Sequence, residues 1–160
     1  MRTDADSLRF MRRAIDLSRL HMEADEGGPF GAVVVKDGEI VGEGWNCVTS
    51  SQDPTAHAEV VAIRRACTKL GTFQLKGCEI YTSCEPCPMC LAAIYWARLD
   101  RIWYANGQAD AAAIQFDDAW LYREVALPLE ARSLPAFQLL RDEALPVFQS
   151  WDRKADKVPY

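Results

Sequence analysis

Two short runs carry side chains that could do chemistry together: Thr55-Ala-His57-Ala-Glu59 and Cys84-Glu-Pro86-Cys87-Pro-Met-Cys90. Cys87 and Cys90 are spaced so that on a helix they share one face and both reach a single ion. His57 adds an imidazole nitrogen, which makes three ligands of the kind zinc prefers and leaves a fourth position open for water. Two thiolates offset the dication, and a helix start favours thiolate over thiol. Glu59 follows His57 too closely to share its helical face. Both converge only on an ion lying off the helix end, where first-turn side chains, tilted towards the N-terminus, gather. The pattern therefore reads as zinc held between two helix starts, with Glu59 placed to take a proton from water and deliver it to a leaving group.

Each part also has a plainer reading. Cys87 and Cys90 alone fit a redox pair or half of a structural zinc knuckle, although no second Cys-x-x-Cys completes a four-cysteine site. His57 alone fits a hydrogen-bonder at a helix start. Cys47, Cys67, Cys78 and Cys84 read as buried or half-buried thiols, and His21 as the surface end of a helix.

The elements that must position these residues follow from periodicity and punctuation. Leu8, Met11, Ile15, Ser18 and Met22, behind the capping candidates Asp4, Asp6 and Ser7, predict an amphipathic helix stopped by Gly27-Gly28-Pro29. Ala32 to Lys36 and Glu39 to Asn46 predict two antiparallel strands joined at Asp37-Gly38. Cys47 to Gln52 reads as polar loop. Asp53 then reads as N-cap and Pro54 as first residue of a helix that buries Ala56, Val60, Ile63, Cys67 and Leu70 and ends near Gly71. Glu79 to Ser83 and Arg101 to Ala105 read as strands on either side of an apolar helix, Pro86 to Arg98, a crossover that makes them parallel. Further on come the alanine-rich Ala109 to Ala113, a short helix from Ala119 and a candidate strand at Phe137 to Leu140. Asp152 to Tyr160 is too polar for core.

The whole chain has the size of one domain, 160 residues and 18.0 kDa. Its composition, 49% hydrophobic and 26% charged, excludes a collagenous or largely disordered chain. No apolar run is long enough to span a bilayer, and Met1-Arg-Thr-Asp4 lacks the apolar stretch of a signal peptide, so a reducing, cytoplasmic setting is expected for the cysteines. A net charge of -5, a pI near 5.0 and scattered basic residues argue against a nucleic-acid-binding surface.

His-x-Glu followed by Pro-Cys-x-x-Cys is the signature of zinc-dependent nucleobase deaminases. Beyond that class, the sequence closely resembles bacterial guanine deaminases of the cytidine-deaminase superfamily. The resembling stretches are Gly27 to Val33, Val35 to Gly38, Asn46, Asp53 to Glu59, Tyr81 to Cys90, Ala93 to Arg98, Phe116-Asp-Asp118 and the tail ending in Tyr160. They cover nearly the whole chain. The zinc motif is common to the superfamily, and only the flanking pieces point to guanine. Two departures, Ala92 where relatives often have Gly and Cys47 after Asn46, touch none of the presumed chemistry.

The resemblance implies a three-layer α/β/α sandwich with a five-stranded mixed sheet and helices on both faces. It implies a single deaminase domain over residues 1–160, in domain-swapped homodimers where the tail 152–160 closes a neighbour's active site. One zinc ion per subunit would be held by His57, Cys87 and Cys90, and Glu59 would be the proton shuttle. Asn46 would hydrogen-bond the base edge and Asp118 read the exocyclic amino group and assist its departure. Phe30 and Trp96 would be pocket aromatics, His57 and Ala58 further substrate contacts, and Tyr160 the closing residue. The implied reaction is hydrolysis of guanine to xanthine and ammonia, in purine catabolism or salvage, with backbone N–H groups near Cys84 and Glu85 as extra donors. Plainer readings stand beside these: Asn46 as a strand-end turn residue, Phe30 and Trp96 as core aromatics, Asp118 as a helix N-cap, Tyr160 as a frayed terminus. The competing activities are a tRNA adenosine deaminase, for which the acidic charge is unfavourable, and a deaminase of cytosine, guanosine or a triazine. A non-catalytic zinc-binding interaction module would need four protein ligands.

Overall fold

The computed structural model describes residues 4–116 and 118–160; Met1 to Thr3, and Asp117 of the Phe116–Asp118 element, lie outside the described residues. The chain falls into two compact units, Met1–Tyr122 and Arg123–Tyr160. In chain order the elements are α1 (Asp4–Glu23), β1 (Gly31–Lys36), β2 (Glu39–Trp45), α2 (Val48–Ser51), α3 (Ala58–Leu70), β3 (Cys78–Cys84), α4 (Pro88–Trp96), β4 (Arg101–Asn106), α5 (Gln108–Ala113), α6 (Asp118–Ala126) and α7 (Arg141–Arg153).

The first unit is a mixed sheet in the order β2-β1-β3-β4, with β1 antiparallel to both neighbours and β4 parallel to β3, as the crossover through α4 requires. Asp37 and Gly38 turn the β1–β2 hairpin with φ of 49° and 87°, the left-handed pair that matches strand twist. β1 is apolar and buried from Gly31 to Val35 because it is covered twice. Val33, Val35 and Tyr81 meet Phe10 and Leu17 of α1 on one face. Ala32, Val34 and Ile80 meet Ala58, Ala62 and Ala66 of α3 and Ile94 of α4 on the other. That makes the three α/β/α layers.

Several elements differ from the sequence reading. The sheet has four strands among the described residues, because Phe137 to Leu140 pairs with none of them; Phe137 is 87% exposed. α1 buries Phe10, Ala14 and Leu17, whereas Leu8, Ile15 and Met22 are exposed. Backbone approach decides this: a Cβ on Gly31 would stand 2.3 Å from the Ala14 carbonyl, so the small residue faces the sheet and the bulky stripe turns aside. α3 behaves alike. Its deepest residues are Ala58, Ala62 and Ala66, with Ile63, Cys67 and Leu70 at the flank, because a Cβ on Gly44 would fall 2.1 Å from the Ala58 carbonyl and one on Gly42 2.4 Å from that of Ala62. Part of the expected loop after Asn46 is the short helix α2.

Candidate active site

The start of α3 decides where the chemistry sits. Asp53 does not cap this helix; its Oδ1 accepts the N–H and the hydroxyl of Thr55 at 2.8 and 2.7 Å, and its carbonyl accepts the Ala56 N–H, which closes a separate turn. The helix therefore begins at Ala58, with His57 at the N-cap position in extended conformation. Cys87 holds the same position on α4, followed by Pro88 in the first turn, and neither residue spends its side chain on capping. Both side chains turn to each other instead. His57 Nδ1 lies 3.6 Å from Cys87 Sγ and 3.5 Å from Cys90 Sγ, with all three donor atoms within 4.8 Å of one another.

These distances suit a zinc ion. Tetrahedral bonds of about 2.3 Å to sulfur and about 2.0 Å to nitrogen put the donor atoms about 3.6 Å apart. One imidazole and two thiols form a closed face, and among the described residues no fourth His, Cys, Asp or Glu joins the group. Without metal the trio already favours negative charge: the Cys87 thiol is pulled down to about 4, first by the hydrogen bond from Cys90 and then by His57. Cys90, the donor in that bond and buried, is pushed up, and the bond to Cys87 raises His57. A dication bound by His57, Cys87 and Cys90 would take the place of the protons these groups share.

Glu59, in the first turn of α3, is buried among these groups, and burial is what raises its carboxyl pKa above the ordinary range. It opens on a cavity of about 210 Å³ that His57, Cys87 and Asn46 also line. Phe30 and Phe116 meet edge to face across 4.9 Å in its wall, and Asp118, the first residue of α6, completes it. Asn46 is buried and its Oδ1 accepts the N–H groups of Gly28 and Val48, both at 3.2 Å. With the oxygen so engaged, the Asn46 amide nitrogen is the group left to donate.

Other predicted residues stand elsewhere. Ala58 is buried against β2 with its N–H in the unpaired first turn of α3. Trp96 ends α4, eight residues along the helix from Pro88, and is 60% exposed in a surface depression with Ala92, Tyr95 and Arg98. Tyr160 belongs to the second unit and is exposed. The Glu85 N–H, expected to be a spare donor, is taken by the Asn106 carbonyl at 2.8 Å, as the parallel β3–β4 ladder is carried past the strand end. Burial pushes the Cys84 thiol up to about 11, so it is a neutral wall of the cavity. Phe116, Thr49 and Tyr122 had no role in the sequence reading. Phe116 was visible only as a neighbour of Asp118, and Tyr122 reaches back to donate to the Pro86 carbonyl at 2.8 Å, bracing the loop before Cys87.

A layered sheet with a His/Cys/Cys centre between two helix starts defines a zinc-dependent deaminase. Residues 4–106 match the cytidine and deoxycytidylate deaminase zinc-binding region, and the chain belongs to that family. Within it, the sequence is similar to guanine deaminase of Bacillus subtilis, 54% identical over 151 residues, 94% of this chain and 97% of the relative. The X-ray structure of guanine deaminase from Bacillus subtilis superposes with a TM-score of 0.92 at 53% identity, covering 95% of this chain and 97% of that one. A tRNA-specific adenosine deaminase of Agrobacterium fabrum is 40% identical over 111 residues, 69% of this chain and 72% of its own. Among the described residues no helix is long and apolar enough to cross a membrane.

Proposed function

We propose that the chain hydrolyses guanine to xanthine and ammonia. The observation that carries this reading is the likeness to a guanine deaminase along nearly the full length of both chains, including the segment that brings Phe116 and Asp118 to the cavity wall. A zinc ion held by His57, Cys87 and Cys90 would supply a water of lowered pKa. Glu59 would take one proton from the attacking water and give it to the ring nitrogen, which keeps it, and would then carry the proton of the new hydroxyl to the amine as the carbonyl forms and ammonia leaves. Asp118 accepts a hydrogen bond from the exocyclic amino group, and Asn46 donates from its amide nitrogen to the base edge. The Ala58 N–H and the His57 ring add contacts beside the metal, and Phe30 packs on the purine with Phe116. A carboxylate aimed at an amino group favours bases that carry one, since a base lacking it leaves that hydrogen bond unmade.

The chain acts as a homodimer in this reading. The exposed tail 152–160 closes a neighbour's cavity with Tyr160, and Trp96, remote from its own chain's cavity, serves as a wall in that assembly. Residues 1–160 then form one deaminase domain but not one complete active site. Six cysteines without a disulfide support a reducing, cytoplasmic setting. The test is ammonia release from guanine, cytosine, adenosine, guanosine, an aminotriazine and a tRNA anticodon stem by the zinc-loaded chain. Guanine is expected to exceed each of the others; faster release from the tRNA stem would make the chain a tRNA deaminase. For Asp118, Asn and Ala replacements that both leave guanine kinetics unchanged would reduce it to a helix-start residue.

A further inference from the structure

Glu26 is one of the residues that fasten the turn after α1. Glu26 Oε2 accepts the indole N–H of Trp45 at 2.7 Å, and His21 Nδ1 stands 3.1 Å from the same oxygen. The His21 ring lies flat on Trp45 with centroids 3.6 Å apart, and the Arg65 guanidinium sits 4.2 Å from the Trp45 ring centre. The Glu26 main chain holds a second element: its carbonyl accepts Ser50 Oγ at 2.6 Å and Thr49 Oγ1 at 3.5 Å, tying the turn to α2. His21, Glu26 and Trp45 do not line the cavity.

Next along the chain from Trp45 is Asn46, which the same two segments hold. Of the two N–H groups that hold its Oδ1, Gly28 comes from the turn that Glu26 anchors, and Val48 comes from the helix whose hydroxyls hold the Glu26 carbonyl. Gly27 packs so closely that a Cβ there would stand 2.6 Å from Asn46 Oδ1. A shift of either segment therefore turns the Asn46 carboxamide. A carboxylate suits the clamp, since an ionised oxygen accepts the indole N–H in a short, strong hydrogen bond and stands beside the His21 ring.

We propose that Glu26 is a positioning residue for substrate: by locking the turn and α2 to Trp45, it sets the direction in which Asn46 offers its amide N–H groups to the base. The proposal rests on the nucleobase reading above and adds to it a residue outside the cavity. Glu26 belongs to neither apolar cluster, so its replacement leaves the core intact.

The test is a double-mutant cycle on the full, zinc-loaded chain with Glu26→Ala, Asn46→Ala and the pair, reading KM and kcat for guanine. Glu26→Ala is expected to raise KM about tenfold and to leave kcat within about twofold. The pair is expected to be no worse than Asn46→Ala alone, because the effect of Glu26 travels through Asn46. Trp45→Phe, which keeps a ring but removes the indole N–H, should repeat the rise in KM, and Glu26→Gln, which keeps an acceptor in place, should restore most of the loss. An effect of Glu26→Ala that falls on kcat and persists in full without Asn46 overturns the proposal. A readout independent of turnover is the Asn46 side-chain amide pair in a nitrogen-15 spectrum, assigned by its loss in Asn46→Ala. It should shift or broaden in Glu26→Ala, and an unmoved pair overturns the role of Glu26 whatever the substrate. Absence of ammonia from guanine with the wild-type chain would overturn the substrate reading alone, while the amide pair still decides on Glu26.

Discussion

At the scale of single residues, Glu59 has the most to lose and the least to hold together. Its carboxyl is buried beside the metal ligands, and burial disfavours its charge, so removing the charge relieves a cost to folding while removing the proton carrier. Glu59→Gln is therefore expected to cut ammonia release about 10²- to 10⁴-fold while the zinc content and the melting temperature hold or rise. Metal analysis beside the turnover assay checks this. A variant that lost zinc as well would make Glu59 a ligand and not a proton carrier. The His57, Cys87 and Cys90 group and the placement of Glu59 beside it were legible from spacing, because His-x-Glu and Cys-x-x-Cys limit which atoms can reach one point. Phe116 and Tyr122 were not, since an aromatic in a loop or short helix carries no periodic signal of what it faces.

Among elements, the contact of α3 with β2 sets the position of His57 and Glu59. Gly42 and Gly44 bring the strand under Ala58, Ala62 and Ala66, so the helix lies close enough for its N-cap to meet that of α4. Gly44→Ala would place a Cβ 2.1 Å from the Ala58 carbonyl, and relieving that overlap must lift the first turn of α3. The expected result, read by denaturant unfolding and zinc titration, is a loss of roughly 1–3 kcal/mol together with weaker zinc binding. An unchanged zinc affinity would separate the packing from the site. α1 is tied to β2 by Arg13, whose guanidinium donates twice to the Glu43 carboxylate at 2.8 Å. That hydrogen bond, with the charge of Arg13, holds the Glu43 pKa below its ordinary 4.5. A group with a lowered folded pKa adds stability above its unfolded value and loses it as pH falls through the folded one. Unfolding curves taken between about pH 6 and about pH 3 should thus show a smaller acid-induced loss for Glu43→Gln than for the wild-type chain.

At the scale of the molecule, the proposed exchange of tails makes catalysis depend on residues far from the metal. Deletion of 152–160 is expected to leave zinc bound and the sheet folded, yet to lower turnover with guanine at least about tenfold, by loss of the group that excludes water. Circular dichroism, metal content and ammonia release on one preparation check it, and full activity of the shortened chain would remove the tail from the site. By itself the sequence determined the donor set, the hairpin, the parallel crossover and the acidic surface, because ligand chemistry, Asp-Gly turn geometry, strand handedness and net charge are local or additive properties. Tertiary structure alone decided which face of α1 and α3 is buried, where α3 begins and which N–H groups are already taken. Those outcomes turn on backbone-to-backbone approach, where a glycine or alanine with little hydrophobicity to read outweighs the longer side chains beside it.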